Sequence, residues 1–197
     1  VVMERFFDIV FSFFSLLILS PLLIPIFILL RLTGEGEVFF QQDRIGKGGK
    51  TFKLFKFATM LKDSPNIGTG TVTVKGDPRV LPIGKFLRKT KINELPQLLN
   101  VLFGHMSVIG PRPLTTQTFS AYSITTQNTV KRVRPGLSGV GSIIFRGEED
   151  ILHGEAGSVE FYNSVIAPYK GSLEEWFVSH KCLYVYFIAI VTTIWAV

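Results

Sequence analysis

Hydrophobic positions are bunched at the two ends of the chain. From Ile9 to Leu30 there are 22 residues without a charge. As a helix rising about 1.5 Å per residue this run reaches roughly 33 Å, enough to cross a bilayer core of about 30 Å. Pro21 and Pro25 fall inside it, and each removes a backbone donor, so Ser20-Pro21 marks a place where the helix bends and where the serine hydroxyl can satisfy a freed backbone group. Arg5 and Arg31 flank the run symmetrically. A Lys/Arg bias would normally set orientation, so a simple span and a re-entrant hairpin that enters and leaves by one face both fit. A second apolar run, Leu183 to Val197, has 15 residues and no charge. It is short for a span; preceded by Trp176, His180 and Lys181, it reads as a helix lying in the membrane interface.

The pattern between these ends is that of a mixed α/β domain. Val38 to Gln42 and Thr51 to Phe57 read as short strands about the turn Gly46-Lys47-Gly48-Gly49, and Thr69 to Val74 as an extended segment or loop. From Pro82 to Leu102 the spacing is helical, with Ile83, Phe86 and Leu87 on one face and Leu95, Leu98, Leu99 and Leu102 on another. No repeat of 20 to 50 residues is visible. The expected organisation is a membrane segment over 1–33, one globular domain over 34–182 and an apolar interfacial helix over 183–197.

Composition sharpens this picture. Hydrophobic residues make up 47% of the chain, charged residues only 18%, and there are 18 phenylalanines, which excludes a disordered chain and points to membrane association. The net charge of +6 is unevenly placed. Twelve Lys/Arg and two acids lie between Arg44 and Lys91, while later acids gather at Glu148, Glu149, Asp150, Glu155, Glu160, Glu174 and Glu175. A basic stretch beside a membrane segment suits anionic headgroups or a phosphorylated ligand; nucleic acid is not expected, since no helix-turn-helix, zinc-finger or RNP pattern accompanies the charge. The single cysteine, Cys182, excludes an intramolecular disulfide framework.

Several chemistries fall away. Gly49-Lys50-Thr51 resembles the end of a phosphate-binding loop, but Arg44 stands where its first glycine belongs. His105, His153 and His180 are isolated in the sequence, so no metal-ligand spacing exists, and there is no G-x-S-x-G elbow.

Five motifs remain, in order: Lys56-Phe57-Ala58-Thr59-Met60, Gly84-Lys85-Phe86-Leu87-Arg88, Asn93-Glu94-Leu95-Pro96-Gln97-Leu98-Leu99-Asn100, Gly110-Pro111-Arg112-Pro113-Leu114 and Arg134-Pro135-Gly136-Leu137-Ser138-Gly139. Together they resemble the bacterial sugar transferase family, the monotopic phosphoglycosyl transferases, from about Arg5 to the C-terminus. The resemblance implies a small α/β domain with an N-terminal re-entrant membrane helix-hairpin bent at Ser20-Pro21 and interfacial amphipathic helices, on the cytoplasmic face of a bacterial inner membrane. It implies transfer of a sugar-1-phosphate from a UDP-sugar to undecaprenyl phosphate, with release of UMP and help from Mg²⁺, as the first membrane step in building a glycan. UDP-sugar, undecaprenyl phosphate and membrane lipids are the implied partners, and a homodimer is compatible with it.

Such chemistry brings two polyanions together, so cations must converge on a carboxylate. Lys56, Arg88, Arg112 and Arg146 are the candidates for phosphate binding, the arginines through their bidentate fork. Pro111 and Pro113 restrict the backbone on both sides of Arg112 and limit the entropy lost when it grips a phosphate. In the family the residue before the glutamate of E-L-P-Q is typically an aspartate that acts as nucleophile. Here it is Asn93, which is neutral and cannot attack as a carboxylate. Three readings are open: Glu94 is the nucleophile and metal ligand, the lipid phosphate attacks directly, or the chain is a silent homologue that binds nucleotide sugar or acts as a scaffold. His105 and Ala58 are further departures, standing where the family usually has Asp and Lys or Arg.

Overall fold

A computed structural model describes residues 2–33, 35–66, 77–145 and 162–196. The expected extended segment Thr69 to Val74 and the candidate Arg146 lie outside them. The described residues form helices and short two-stranded sheets, a mixed α/β architecture arranged as two compact units. One comprises Val1–Ser12, Asp43–Lys53 and Val101–Val197, the other Phe13–Gln42 and Leu54–Asn100.

Helix α1 runs unbroken over Val2–Leu32 with Pro21 and Pro25 inside it. It is the one helix among the described residues long and apolar enough to cross a membrane, with a mean hydropathy of 2.7 over its most apolar window. Pro21 has no N–H to give the Leu17 carbonyl, four residues back. The Ser20 hydroxyl takes that carbonyl instead, at 2.7 Å, as the polar residue at this point anticipated. Strand β1 (Phe39–Ile45) pairs with β2 (Thr51–Phe57) across a 3₁₀ turn at Lys47–Gly49. The strand is longer than Val38 to Gln42, because the Ile45 N–H finds the Leu114 carbonyl at 2.9 Å and extends the ordered edge to the turn. Gly48 and Gly49 both have positive φ, 72° and 75°, a conformation open to glycine at little cost.

In the first unit, β3 (Ser107–Ile109) lies parallel to β4 (Gly136–Ser138), with Ser107 opposite Gly136 and Ile109 opposite Ser138. The glycines of the two motifs meet here. A Cβ on Gly136 would stand 2.1 Å from the Gly110 nitrogen, and one on Gly139 would stand 2.1 Å from the Gly110 oxygen. These two motifs are therefore a backbone-to-backbone junction. Helix α4 (Thr116–Ser120) and α5 (Ile124–Val130) are N-capped by Thr115 and Ser123, whose hydroxyls accept from the Thr118 and Thr126 amides. After α6 (Val140–Ile144), α7 (Ala167–Ser179) and α8 (Leu183–Ala196) complete the unit. Ile109, Phe177, Tyr186 and Ala189 form one apolar cluster and Leu114, Phe119, Tyr122, Val130 and Ala167 another.

Asp8 ties this unit together. It is 1% exposed, and its Oδ1 accepts from the Ser107 hydroxyl at 2.9 Å, the Val108 amide at 2.8 Å and the Tyr186 hydroxyl at 2.9 Å. A carboxylate so deep in the protein is tolerable because three donors replace its water.

In the second unit the expected helix from Pro82 to Leu102 is broken. Helix α2 (Pro82–Lys89) stops, Lys91 turns left-handed at φ 58°, Ile92–Glu94 form a 3₁₀ turn, and α3 begins at Gln97 and ends at Phe103. The apolar spacing is unaffected by a break that lands between two helical faces, so periodicity alone misses it. Pro96, which stands directly before α3 and suits the start of a helix better than its interior, was the available signal. Gly84 lets α2 sit on the Thr59 backbone, since a Cβ there would be 2.2 Å from the Thr59 oxygen. Ile26, Leu30, Val38, Phe57 and Leu87 make the apolar core.

Candidate active site

The second unit assembles four of the residues singled out by sequence. Lys56 sits near the end of β2, Arg88 near the end of α2, and Asn93 and Glu94 on the 3₁₀ turn against which α2 packs. Lys56 Nζ donates to Glu94 Oε1 at 3.0 Å, and both side chains remain partly exposed, at 23% and 35%. An ion pair this open contributes about 1 kcal/mol or less to stability. Its consequence is placement: an ammonium and a carboxylate side by side and accessible.

Neighbouring residues hold the pair in place. The Phe55 amide, one residue before Lys56, donates to Asn100 Oδ1 at 2.9 Å, and Asn100 is fully buried. The last residue of the Asn93–Asn100 motif thus fastens the strand that carries Lys56, a role that sequence reading overlooked. Asn93 is 9% exposed, and among the described residues its Oδ1 has no hydrogen-bond partner.

An apolar cavity of about 210 Å³ adjoins these segments, lined by Leu16, Ser20, Leu23, Ile24 and Phe27 of α1, Phe39 and Phe57 of the hairpin, and Pro96 and Leu99. Phe57 follows Lys56 directly and Pro96 lies two residues after Glu94. A charged pair and an oily cavity are therefore built from the same short segments, which suits an amphiphilic ligand.

Arg112 belongs to the first unit. It is exposed between buried Pro111 and Pro113. Three hydrogen bonds pin this segment: the Gly136 amide donates to the Pro111 oxygen at 2.8 Å, the Arg112 amide to Glu174 Oε1 at 3.4 Å, and Arg44 Nη1 to the Pro113 oxygen at 3.0 Å. Arg134, in the last of the five motifs, donates through Nε to the Gly104 oxygen at 2.7 Å. Arg5 donates to the Val101 and Leu102 oxygens. Together they cap the negative end of α3. Burial, then the neighbouring Arg134, lowers the Arg5 pKa from its ordinary value. His105, where the family usually carries an acid, stacks on Phe52 with ring centres 5.8 Å apart.

No group of three or more His, Cys, Asp or Glu among the described residues could by itself hold a metal. Magnesium needs no such cage, since one or two carboxylates plus substrate phosphates suffice. Glu94 and the unpartnered Asn93 Oδ1 are oxygen donors of the kind it accepts.

These features agree with the comparisons to known proteins. The bacterial sugar transferase family model matches residues 1–197, and the chain belongs to that family. It is 49% identical over 111 residues to the exopolysaccharide production protein PSS of Rhizobium leguminosarum bv. phaseoli, covering 56% of each chain. It is 40% identical over 162 residues to the UDP-glucose:undecaprenyl-phosphate glucose-1-phosphate transferase of Escherichia coli K12, covering 81% of this chain and 35% of that one. With the UDP-N-acetylgalactosamine-undecaprenyl-phosphate N-acetylgalactosaminephosphotransferase of Aeromonas hydrophila it shares 37% identity over 143 residues, 72% of this chain and 34% of the relative. The chain thus spans between about a third and about half of these relatives' lengths.

Proposed function

We propose that this chain transfers a sugar-1-phosphate from a UDP-sugar to undecaprenyl phosphate, releasing UMP, as the entry step of a surface glycan. The relatives' names supply the reaction class. The observation that carries it to these residues is the Lys56–Glu94 pair, 3.0 Å apart and partly exposed, built from the same segments as an apolar cavity on α1. The cavity suits the isoprenoid next to its phosphate, Lys56 and Arg88 of the second unit suit phosphate oxygens beside it, and Arg112 of the first unit is by itself a phosphate ligand.

In this reading a Glu94 carboxylate oxygen bonds to the phosphorus that carries the sugar, and the bond from that phosphorus to UMP breaks. An oxygen of the lipid phosphate then attacks the same phosphorus, Glu94 leaves as the carboxylate, and a lipid-diphosphate sugar results. Lys56 orients Glu94 through their 3.0 Å contact. Glu94, with Asn93 Oδ1 as a neutral donor, would hold Mg²⁺, which supplies charge neutralisation on the diphosphate. A second reading, a silent nucleotide-sugar-binding homologue, draws on Asn93, whose neutral amide cannot attack phosphorus as a carboxylate does.

The membrane arrangement follows the same proposal. Asp8, before the apolar body of α1, is hydrogen-bonded to Ser107 and Val108, which come long after it. Among the described residues between, only α1 is long and apolar enough to cross. With residues 8 and 107 on one side, the proposal has α1, one continuous helix over Val2–Leu32, enter and leave by that side, with Ser20-Pro21 as the bend it would adopt in a membrane. Residues 34–182 lie on the cytoplasmic face of the bacterial inner membrane, where nucleotide sugars are found. Helix α8 rests in the interface through exposed Tyr184, Val191, Ile194 and Trp195, and α2 brings Lys85 and Lys89 with exposed Phe86 to the headgroups.

The decisive experiment incubates detergent-solubilised protein with Mg²⁺, undecaprenyl phosphate and a panel of UDP-sugars and reads UMP. Release that needs both substrates and disappears in Glu94→Gln supports the proposal. Turnover unchanged in Glu94→Gln removes Glu94 from the reaction, and no UMP with any sugar favours the silent homologue.

A further inference from the structure

Glu174 on α7 is one of the most deeply buried charged residues in the first unit, at 2% exposure, and nothing in the proposed reaction uses it. Its Oε1 takes the Arg112 amide at 3.4 Å, while its Oε2 has no hydrogen-bond partner among the described residues. Room for the carboxyl comes from Gly141 on α6, where a Cβ would stand 2.5 Å from Oε1. A buried acid with one oxygen unpartnered weakens a fold relative to a neutral residue of the same shape, so packing alone gives no reason for a glutamate here.

We infer that Glu174 is a positioning residue for Arg112: by accepting the Arg112 amide it fixes the Pro111–Arg112–Pro113 backbone so that the exposed guanidinium is presented to a diphosphate. This rests on the proposed role of Arg112 as a phosphate ligand. The other pins on the segment, Gly136 to Pro111 and Arg44 to Pro113, hold its prolines; Glu174 holds the residue that works. The ionised carboxylate is the better acceptor, whereas a protonated one has an O–H of its own to satisfy.

The surroundings tune this contact. Burial pushes the Glu174 carboxyl up to about 7, against the pull of the Arg112 amide and of the Lys170 and Arg112 charges. Helices α5 and α6, packed on α7, bring no charged residue. On α7 itself, Lys170 lies with Nζ 5.2 Å from the Phe145 ring centre, and Glu175 accepts from the Thr126 hydroxyl.

The test measures UDP-glucose and UDP-N-acetylgalactosamine binding by calorimetry between pH 5.5 and 8.5, for the whole chain and for Glu174→Gln, Arg112→Ala and the double variant. The expected result is affinity that rises about tenfold with pH through neutrality, the size of one charge-assisted hydrogen bond. Glu174→Gln should bind weakly at every pH with that rise gone, and add nothing once Arg112 is alanine. A Glu174→Gln protein that titrates like the parent, or whose effect is fully additive with Arg112→Ala, overturns the inference and leaves Arg112 in place. Binding unaffected by Arg112→Ala overturns both the phosphate role of Arg112 and this inference with it. Thermal unfolding separates misfolding from loss of positioning, and Glu174→Asp should restore part of the pH-dependent rise.

Discussion

Lys56 and Glu94, 38 residues apart in the chain, meet with Nζ and Oε1 3.0 Å from each other. The strand end that bears Lys56 is fastened by buried Asn100, which accepts the Phe55 amide at 2.9 Å, independently of the ion pair. The pair is therefore free to separate when a phosphate competes for the lysine, at a stability cost of about 1 kcal/mol or less.

Removing either charge should cost far more in rate than in stability. Glu94→Gln and Lys56→Met are each expected to reduce UMP release by at least about a hundredfold, as for groups acting in the transition state, with unfolding midpoints within a few degrees of the parent. A rate loss matched by an equal loss of folded protein would assign the pair to the scaffold.

The order of bond-making is read by mass. Incubated with UDP-sugar alone, the protein should gain one phospho-sugar, mapped to Glu94 by peptide fragmentation. Normal turnover without any adduct would transfer the attack to the lipid phosphate. Asn93→Asp should raise the yield of adduct by placing a second carboxylate on the turn.

Membrane topology is accessible to thiol labelling. With Cys182 replaced by serine, Met3→Cys and Glu37→Cys should react with an impermeant maleimide from the same side of sealed vesicles. Opposite-side labelling would make α1 a true span and would conflict with the Asp8 contacts to Ser107 and Val108.

Asp8 should matter for folding alone. Asp8→Ala strands the buried Ser107 and Tyr186 hydroxyls and the part-buried Val108 amide, at a cost of about 3 kcal/mol. Its signature is a lower denaturation midpoint. Asp8→Asn keeps an acceptor and should fall between.

Glu174 gives stability its own pH dependence. Burial raises its folded pKa from 4.5 to about 7, so the folded chain holds a proton that the unfolded chain releases. Stability is then greatest below pH 4.5 for this group and declines as pH rises to 7, by about 3 kcal/mol at most. Glu174→Gln should flatten that decline, leaving the variant more stable than the parent at pH 8. A steeper fall in the variant would mean that the carboxylate is stabilised by groups other than Arg112 and Lys170.

Local chemistry was legible in the sequence by itself. The apolar run, the serine poised to take the Leu17 carbonyl, the hairpin about Gly46–Gly49 and the ordered motifs all depend on neighbours a few residues away, and these identified the family and marked Lys56, Arg88, Asn93 and Glu94. Tertiary structure decided everything that depends on distant partners. That Lys56 pairs with Glu94, that Asn100 holds β2, that Gly110, Gly136 and Gly139 are a packing junction, and that Glu174 lies under Arg112 are contacts between segments tens of residues apart. Periodicity carries no record of such meetings. It also passed over the break at Lys91, because a left-handed residue between two helices leaves the spacing of leucines intact. Asp8 shows the difference most plainly: in sequence it is one acid at the edge of an apolar run, and only the fold, by bringing the Ser107 hydroxyl, the Val108 amide and the Tyr186 hydroxyl to its carboxyl, makes it the residue that ties the start of α1 to segments about a hundred and more residues away.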